Sequence, residues 1–561
     1  MELLRPYRKG NELNTVERWK LARHPLDVAA AVRNRYAAEG PASLGEVPGE
    51  TERLKWVGIY PQRQGGDAFM LRVKVPAGRM SAAQVRRIGE IIDVHADGPE
   101  EDTVWGNRYG DITTRQDVQL HWVKIGDVPR IWDSLEEVGI TTVQACGDSA
   151  RNVLSCPVSG VDRNEVFDAS GIAREVSAFF TWNREYANLP RKFKLSITGC
   201  RDDCAQAEIN DVGLWPARLE DGTLGFNLLV GGGLSDGPRM ASDIDVFVHR
   251  HQALEICRAI AQLFGELGNR ENRGTARMRY LVQELGPEGF REELERRAAF
   301  PLQPSAENLT RRYRGDHVGV HGQHQPGTSY VGCSVAVGRM RGTDFIELGR
   351  IAETYGDGEV RLATDQNFVI TGVPDEKLED LLAEDLLATY SPFPAPFERG
   401  VVACTGTEFC RFAVVETKAR AVSWARELDR RYAGQLGGGK GARDRAANSV
   451  IRMHFSGCPA SCAQPQIADI GFRGDTAHAG EEIVEAVDVG LGGSLGADAA
   501  FGDWVEGAMP VTEVVDGLGR VVDRYLGERQ EGERFYEWAR RIPAAAVRVT
   551  LRPRPQEVAS R

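Results

Sequence analysis

One succession of motifs occurs twice along this chain, which points to a fold built of two related halves. Val57-Gly58-Ile59-Tyr60, followed by Gln62, Gln64 and Gly66, is matched by Val318-Gly319-Val320-His321, followed by Gln323, Gln325 and Gly327. Each copy passes an aromatic residue, Phe69 or Tyr330, enters an alternating apolar stretch that reads as a strand, and reaches Gly-Arg-Met at Gly78-Arg79-Met80 or Gly338-Arg339-Met340. A second block repeats in the same order. Ser196-Ile197-Thr198-Gly199-Cys200, Cys204-Ala205-Gln206 and Ile209-Asn210-Asp211-Val212-Gly213 parallel Ser456-Gly457-Cys458, Cys462-Ala463-Gln464 and Ile467-Ala468-Asp469-Ile470-Gly471. A glycine cluster follows an apolar strand in both copies, Leu228 to Gly233 and Val489 to Gly493. Glycines there permit close backbone approach to something flat or bulky, or simply a tight strand exit.

With 561 residues the chain is long enough for several hydrophobic cores, so duplication and multiple domains go together. Helical periodicity separates the strands, as in Ser81 to Val94 and Thr417 to Tyr432, and the class expected is α+β. Residues 1–50 read as an N-terminal extension. The repeats then divide the chain at 51–130, 131–305, 306–392 and 393–561, and Gly434 to Ala447 reads as a glycine-rich surface loop. Hydrophobic, aromatic and charged fractions of 42%, 8% and 27% are those of an ordered soluble protein. A net charge of −12 argues against nucleic acid as a partner, because phosphate binding needs clustered Lys and Arg in excess. The N-terminus lacks the apolar core of a signal peptide and no long apolar run follows, so a cytoplasmic protein with no membrane partner is expected.

Ten cysteines are too sparse for a disulfide scaffold in so long a chain, which turns attention to their spacing. Cys404 and Cys410 form a C-x5-C pair, and Cys458 and Cys462 a C-x3-C pair. Four thiolates converging from two places suit an iron–sulfur cube. Tetrahedral zinc, more often bound through C-x2-C or C-x4-C pairs, is the alternative.

These pairs, in the contexts Ala403-Cys404-Thr405-Gly406 and Ser456-Gly457-Cys458-Pro459, resemble those of the siroheme-containing, ferredoxin-dependent sulfite and nitrite reductases. The likeness runs in order from about Leu54 to the C-terminal region. It implies a duplicated fold of two ferredoxin-like half-domains and two larger α/β modules. It also implies a 4Fe–4S cluster on Cys404, Cys410, Cys458 and Cys462, with Cys462 doubling as the axial ligand of siroheme. Cys156, Cys200 and Cys204 fall where Cys404, Cys458 and Cys462 fall in the second copy, but the position matching Cys410 is Asp162. A packing role is expected for this trio, since free Cys behaves as a small buried hydrophobe, with a second cluster as the alternative. Cys257 and Cys333, without partner spacing, are expected in cores.

Sulfite and nitrite are small anions whose oxygens leave as water, so a pocket for them needs fixed positive charge and proton donors. By resemblance those cations are Arg115 in Thr-Thr-Arg-Gln, Arg151 in Asp-x-x-Arg-Asn, and Lys192 and Lys194 in Leu-Pro-Arg-Lys-Phe-Lys. Lys194 leans toward sulfite, because plant-type nitrite reductases generally carry Asn there, although several other relatives assigned to nitrite keep Lys-x-Lys, and the larger charge of sulfite gains more from a second Lys. Tyr60 and Cys146 occupy positions where some bacterial sulfite reductases of this family carry a Tyr–Cys crosslink beside siroheme. Reduction of sulfite to sulfide is therefore the expected activity, reduction of nitrite to ammonia the alternative, and a non-catalytic iron–sulfur protein a third reading disfavoured by the full set of cations. No flavin or nicotinamide module is evident, so ferredoxin is the expected donor to a monomeric enzyme.

Gly434 to Gly441 nearly matches a phosphate-binding loop but has Gly441 in place of the magnesium-binding hydroxyl and follows a helical pattern. His121, His321, His324 and His454 stand near the repeated motifs and are expected to pack or face solvent, His121 being the one that could line the pocket. The Arg-rich end, Arg548 to Arg561, reads as a solvated tail.

Overall fold

A computed structural model describes residues 12–99, 107–311, 316–436, 450–496 and 499–552. Most of the phosphate-loop look-alike and most of the Arg-rich tail lie outside the described residues.

The first copy of the repeat supplies β1 (Ile59–Pro61), β2 (Phe69–Val73), β3 (Arg79–Ser81), β4 (Tyr109–Ile112) and β5 (Val118–Val123). These are followed by β6 (Ala150–Leu154), β7 (Phe193–Ile197), β8 (Val212–Arg218), β9 (Leu224–Val230), β10 (Ser242–His249) and the short β11 (Glu307–Asn308). The second copy supplies β12 (Gly319–Gly322), β13 (Thr328–Cys333), β14 (Arg339–Arg341), β15 (Glu359–Leu362) and β16 (Phe368–Pro374), then β17 (Val401–Ala403), β18 (Met453–Ser456), β19 (Ile470–Ala479), β20 (Glu482–Leu491) and β21 (Asp503–Pro510).

The two half-domain sheets exchange a strand. Their orders are β1-β2-β5-β4-β14 and β12-β13-β16-β15-β3, so each Gly-Arg-Met strand completes the sheet of the other half. The crossing is tight: Gly78 has φ +69°, and a Cβ there would meet the Leu362 carbonyl at 2.5 Å, so both conformation and space require glycine. The helices Ala82–His95 and Gly342–Tyr355 bury Val85, Ile88 and Ile92 with Phe345, Leu348 and Ile351 in one core shared by both half-domains. The first of these helices starts at a capping box, in which Ser81 and Gln84 each accept the other's backbone N–H.

The two modules have the same topology, β10-β9-β8-β7-β6 and β17-β18-β19-β20-β21. In each, three parallel strands (β6, β7, β8 or β17, β18, β19) are extended by two antiparallel ones. Each module has its own core, and β11 adds to the first module by pairing with β8. The expected helices and strands are present, and Cys257 and Cys333 are fully buried in cores as expected. Among the described residues no helix is long and apolar enough to cross a membrane.

Candidate active site

The loops at the carboxyl ends of the parallel strands converge with the β4–β5 turn of the first half-domain. Two contacts across the halves fix this junction. Thr114 in that turn donates its hydroxyl to the Cys462 carbonyl at 3.0 Å, and the Gln206 and Gln464 side-chain amides, one from each copy, donate to one another.

A cavity of about 70 Å³ opens here, lined by Arg115, Lys192, Lys194, Arg277 and Cys462. A water needs on the order of 10–15 Å³ of such space, so there is room for a small oxyanion. Arg115 is anchored by Asn210 Oδ1 at 2.9 Å and the Leu195 carbonyl at 3.0 Å. Arg151 donates to the carbonyls of Gly147 at 2.9 Å and Ala145 at 3.3 Å, and is not among the cavity-lining residues. Lys194 is oriented through its backbone N–H, which Asp211 accepts at 2.9 Å.

Crowding these cations away from water disfavours their charge. Burial, then Arg277 and Arg151, pushes the Lys192 ammonium down to about 7. Lys194 is held well below its ordinary value by burial, then by Arg115 and Lys192. Burial also brings Arg115 down to about 9 against the opposing pull of Asp117. Arg115 Nε and Arg277 Nε are buried without a hydrogen-bond partner. An anion relieves both conditions.

Three of the four expected cations are thus brought together, and sequence reasoning missed Arg277. Its guanidinium is held by Asp211 Oδ1 at 3.1 Å and Oδ2 at 3.2 Å. A signal existed in the repeat: Asp469, the counterpart of Asp211, binds Arg452 at 3.0 Å, and Arg452 stands where Lys194 stands in the first copy. With Lys194 turned to other use, Asp211 needed another cation.

Tyr60 and Cys146 are side by side, their phenol and thiol within hydrogen-bonding reach, and burial followed by Cys146 pushes the phenol up. Arg72, which the sequence reading passed over, donates to Cys146 Sγ at 3.1 Å and lies 5.9 Å from the Tyr60 ring centre. His121 does not line the cavity; it stacks on Phe409 at 3.9 Å with Asp111 3.1 Å from its Nε2.

Cys404 follows β17 and Cys458 follows β18, while Cys410 ends the short helix Gly406–Phe409 and Cys462 lies in the loop after Cys458. Parallel pairing of β17 and β18 aligns the strand ends that lead to Cys404 and Cys458, with the Gly457 N–H donating to Cys404 Sγ at 3.2 Å. Arg63 clasps the Cys410 loop from the first half-domain, bonding the carbonyls of Phe409 and Ala413 at 2.9 Å each. Burial and then Cys462 push the Cys404 thiol up to about 12, and burial pushes Cys458 up to about 11. No three of these four thiols lie within 4.8 Å of one another. Of the four, Cys462 is the exposed one and lines the cation cavity.

The first-copy cysteines are buried in a small apolar cluster, as the packing role expected of them requires, and they also have a polar neighbour. Cys156, Cys200 and Cys204 are buried with Val158, Val161, Tyr330 and Val369, but a histidine that the sequence reading did not single out, His317, joins them, and all four ligand atoms lie within 4.8 Å of one another.

A family model described as the nitrite and sulphite reductase 4Fe-4S domain matches residues 146–302 and 395–554, and one described as the nitrite/sulfite reductase ferredoxin-like half domain matches 60–138 and 321–385. An assimilatory ferredoxin-dependent nitrite reductase of Haloferax mediterranei is 40% identical over 91% of this chain and 89% of its own. A ferredoxin–nitrite reductase of Synechococcus elongatus is 37% identical over 92% and 97%. The solved structure of the Mycobacterium tuberculosis NirA protein superposes with a TM-score of 0.87 at 34% identity, covering 97% of this chain and 98% of that one. Duplicated half-domains and duplicated modules agree with these matches, and the chain belongs to the sulfite/nitrite reductase family of oxidoreductases, which use siroheme and a 4Fe–4S cluster.

Proposed function

We propose that this chain is a ferredoxin-dependent nitrite reductase, taking nitrite to ammonium with six electrons and eight protons and releasing two waters. What carries the reading is the buried cavity in which Lys192, Lys194, Arg115 and Arg277 converge beside Cys462. Nitrite as substrate draws support from the names of the relatives from Haloferax and Synechococcus, which span nearly the whole chain. Within this reading Cys404, Cys410, Cys458 and Cys462 would hold the cluster, Cys462 would also serve siroheme, and residues 51–130 and 306–392 would form the half-domains and 131–305 and 393–561 the modules. Siroheme, when bound, would supply the iron at which nitrite is reduced, and the cluster would supply its electrons. The chain's own part is electrostatic and protonic. Arg115 and Arg277 bind oxyanion oxygens, Arg151 adds positive potential, and Lys192, with its proton held loosely near neutrality, donates as the nitrogen–oxygen bonds break. Phe412 (79% exposed) and Val414 (43%) flank the Cys410 loop and give ferredoxin an apolar docking centre close to the cluster.

A second reading, sulfite reduction, rests on Lys194, which lines the cavity beside Lys192, and on the Tyr60–Cys146 pair. The comparisons do not carry the sequence-based preference for sulfite. Turnover of the holoenzyme with reduced ferredoxin, nitrite and sulfite side by side, tests both. Nitrite is expected to give the larger kcat/KM, and a larger value for sulfite would select the second reading.

A further inference from the structure

We propose that Cys156, Cys200, Cys204 and His317 bind one zinc ion, a structural metal site separate from the four-cysteine cluster. All four residues are buried and their ligand atoms lie within 4.8 Å of one another. His317 Nε2 stands 3.6 Å from Cys156 Sγ and 3.4 Å from Cys204 Sγ. Zinc–sulfur bonds of about 2.3 Å and zinc–nitrogen bonds of about 2.0–2.1 Å in a tetrahedron put sulfur and nitrogen roughly 3.5 Å apart. The side chains therefore already hold the spacing of a single-ion site. That spacing is too close for a cube, whose irons sit at separate corners and spread their thiolates; in the second copy, where a cluster is expected, no three cysteines approach this closely.

Duplication explains how such a site arises. Cys156 comes just after β6, and Cys200 and Cys204 from the loop after β7, as Cys404, Cys458 and Cys462 come from β17 and β18. The residue matching Cys410 is Asp162, which is not part of the set; His317, just ahead of β12, takes the fourth position from a different direction. Replacing a ligand on the module's own loop by one from the second half-domain contracts the site from a cluster to an ion. The groups around it fix the ligands. Tyr330 Oη lies 3.5 Å from the other ring nitrogen of His317, neighbouring Asp316 is paired with Arg399, the Asp202 N–H points at Cys200 Sγ at 3.4 Å, and Thr364 donates to the Cys204 carbonyl at 2.8 Å. Four protein ligands and no solvent leave no open coordination position, so the ion would tie the first module to the second half-domain rather than do chemistry.

Zinc and iron counted per chain in holoenzyme passed through metal-free buffer test this. About one zinc is expected, with a zinc-edge absorption spectrum showing three sulfur neighbours and one nitrogen. Cys200→Ser and His317→Ala should lose the zinc and melt lower while keeping wild-type iron and siroheme, and His317→Cys should restore the metal. Protein with little zinc and three free thiols, a disulfide among Cys156, Cys200 and Cys204, or iron lost from Cys200→Ser would each overturn the proposal. If the variants do not fold, the zinc count and edge spectrum of the wild-type protein still decide it.

Discussion

Lys194 and Lys192 sit two residues apart on one strand approach and share a cavity, yet they answer different questions about the substrate. Changing Lys194 to Asn removes a cation and keeps a hydrogen-bond donor. A charge-assisted contact in such a place is worth about 1.5–3 kcal/mol, or roughly ten- to a hundredfold in rate constant. Sulfite, with the larger charge, should lose about that much in kcat/KM and nitrite less, so the sulfite-to-nitrite ratio should fall. Equal losses for both anions would remove Lys194 from substrate choice. For Lys192 the issue is the proton. Its value near 7 in the anion-free pocket means that it is largely neutral at pH 8, and an oxyanion beside it raises that value. Nitrite binding to the oxidised enzyme should therefore take up protons at pH 8, and fewer at pH 6, where more of Lys192 is already charged. Calorimetry in buffers of different ionisation enthalpy reads this directly. Unchanged uptake in Lys192→Met would assign the proton to another group.

At the scale of elements, the helix Thr15–Ala22 shows how much the label of N-terminal extension left out. Its Lys20 is 1% exposed, donates to the Leu189 carbonyl at 2.8 Å, and pairs with Glu17 and Asp148; Arg270 meets Glu17 at 2.7 Å and Arg273 meets Asp148 at 2.7 Å. The segment is thus bolted onto the first module by buried charge, which polar residues in a sequence do not announce because burial is decided by the rest of the fold. Removing one member strands the others, and Lys20→Met should cost about 3 kcal/mol or more, read as a lower denaturant midpoint. The pH dependence has a definite sign. Burial alone pushes the Asp148 carboxyl up, but Lys20 and Arg273 together hold it well below the usual carboxylate range. A folded value below the unfolded one stabilises the protein above about pH 4 and is lost as pH falls further. Acid should therefore lower the melting temperature of wild type more than that of Asp148→Asn. A parallel decline in both would show that this network does not govern acid stability.

Across the whole molecule, the twofold plan was legible because the motifs that build it recur in order, and the C-x5-C and C-x3-C pairs singled out four cysteines that the family resemblance makes the expected cluster ligands. What stayed hidden depends on residues meeting from distant segments. Neither half reveals that β3 and β14 change places, since each motif reads equally well within its own sheet. Arg277 and His317 fall outside the repeated motifs and acquire roles only when Asp211 and the first-copy cysteines draw them in. The junction of the copies also singles out Cys462. It is the most exposed of the four second-copy cysteines and the one lining the cation cavity, its carbonyl is held by Thr114 from the first half-domain, and it favours the charged form of Lys192. Cys410 lies on the far loop clasped by Arg63 and lines no part of that cavity. If Cys462 serves both cofactors, Cys462→Ser should lose cluster iron, acid-labile sulfide and siroheme absorbance together, because a hydroxyl replaces the one soft ligand both share. Cys410→Ser should lose cluster iron while retaining the larger part of its siroheme. Iron, sulfide and siroheme per chain, measured on both variants from the same expression host, separate the two cases. Wild-type siroheme in Cys462→Ser, with the cluster gone, would mean that the thiolate bridges nothing and that the cavity holds siroheme through its cations alone.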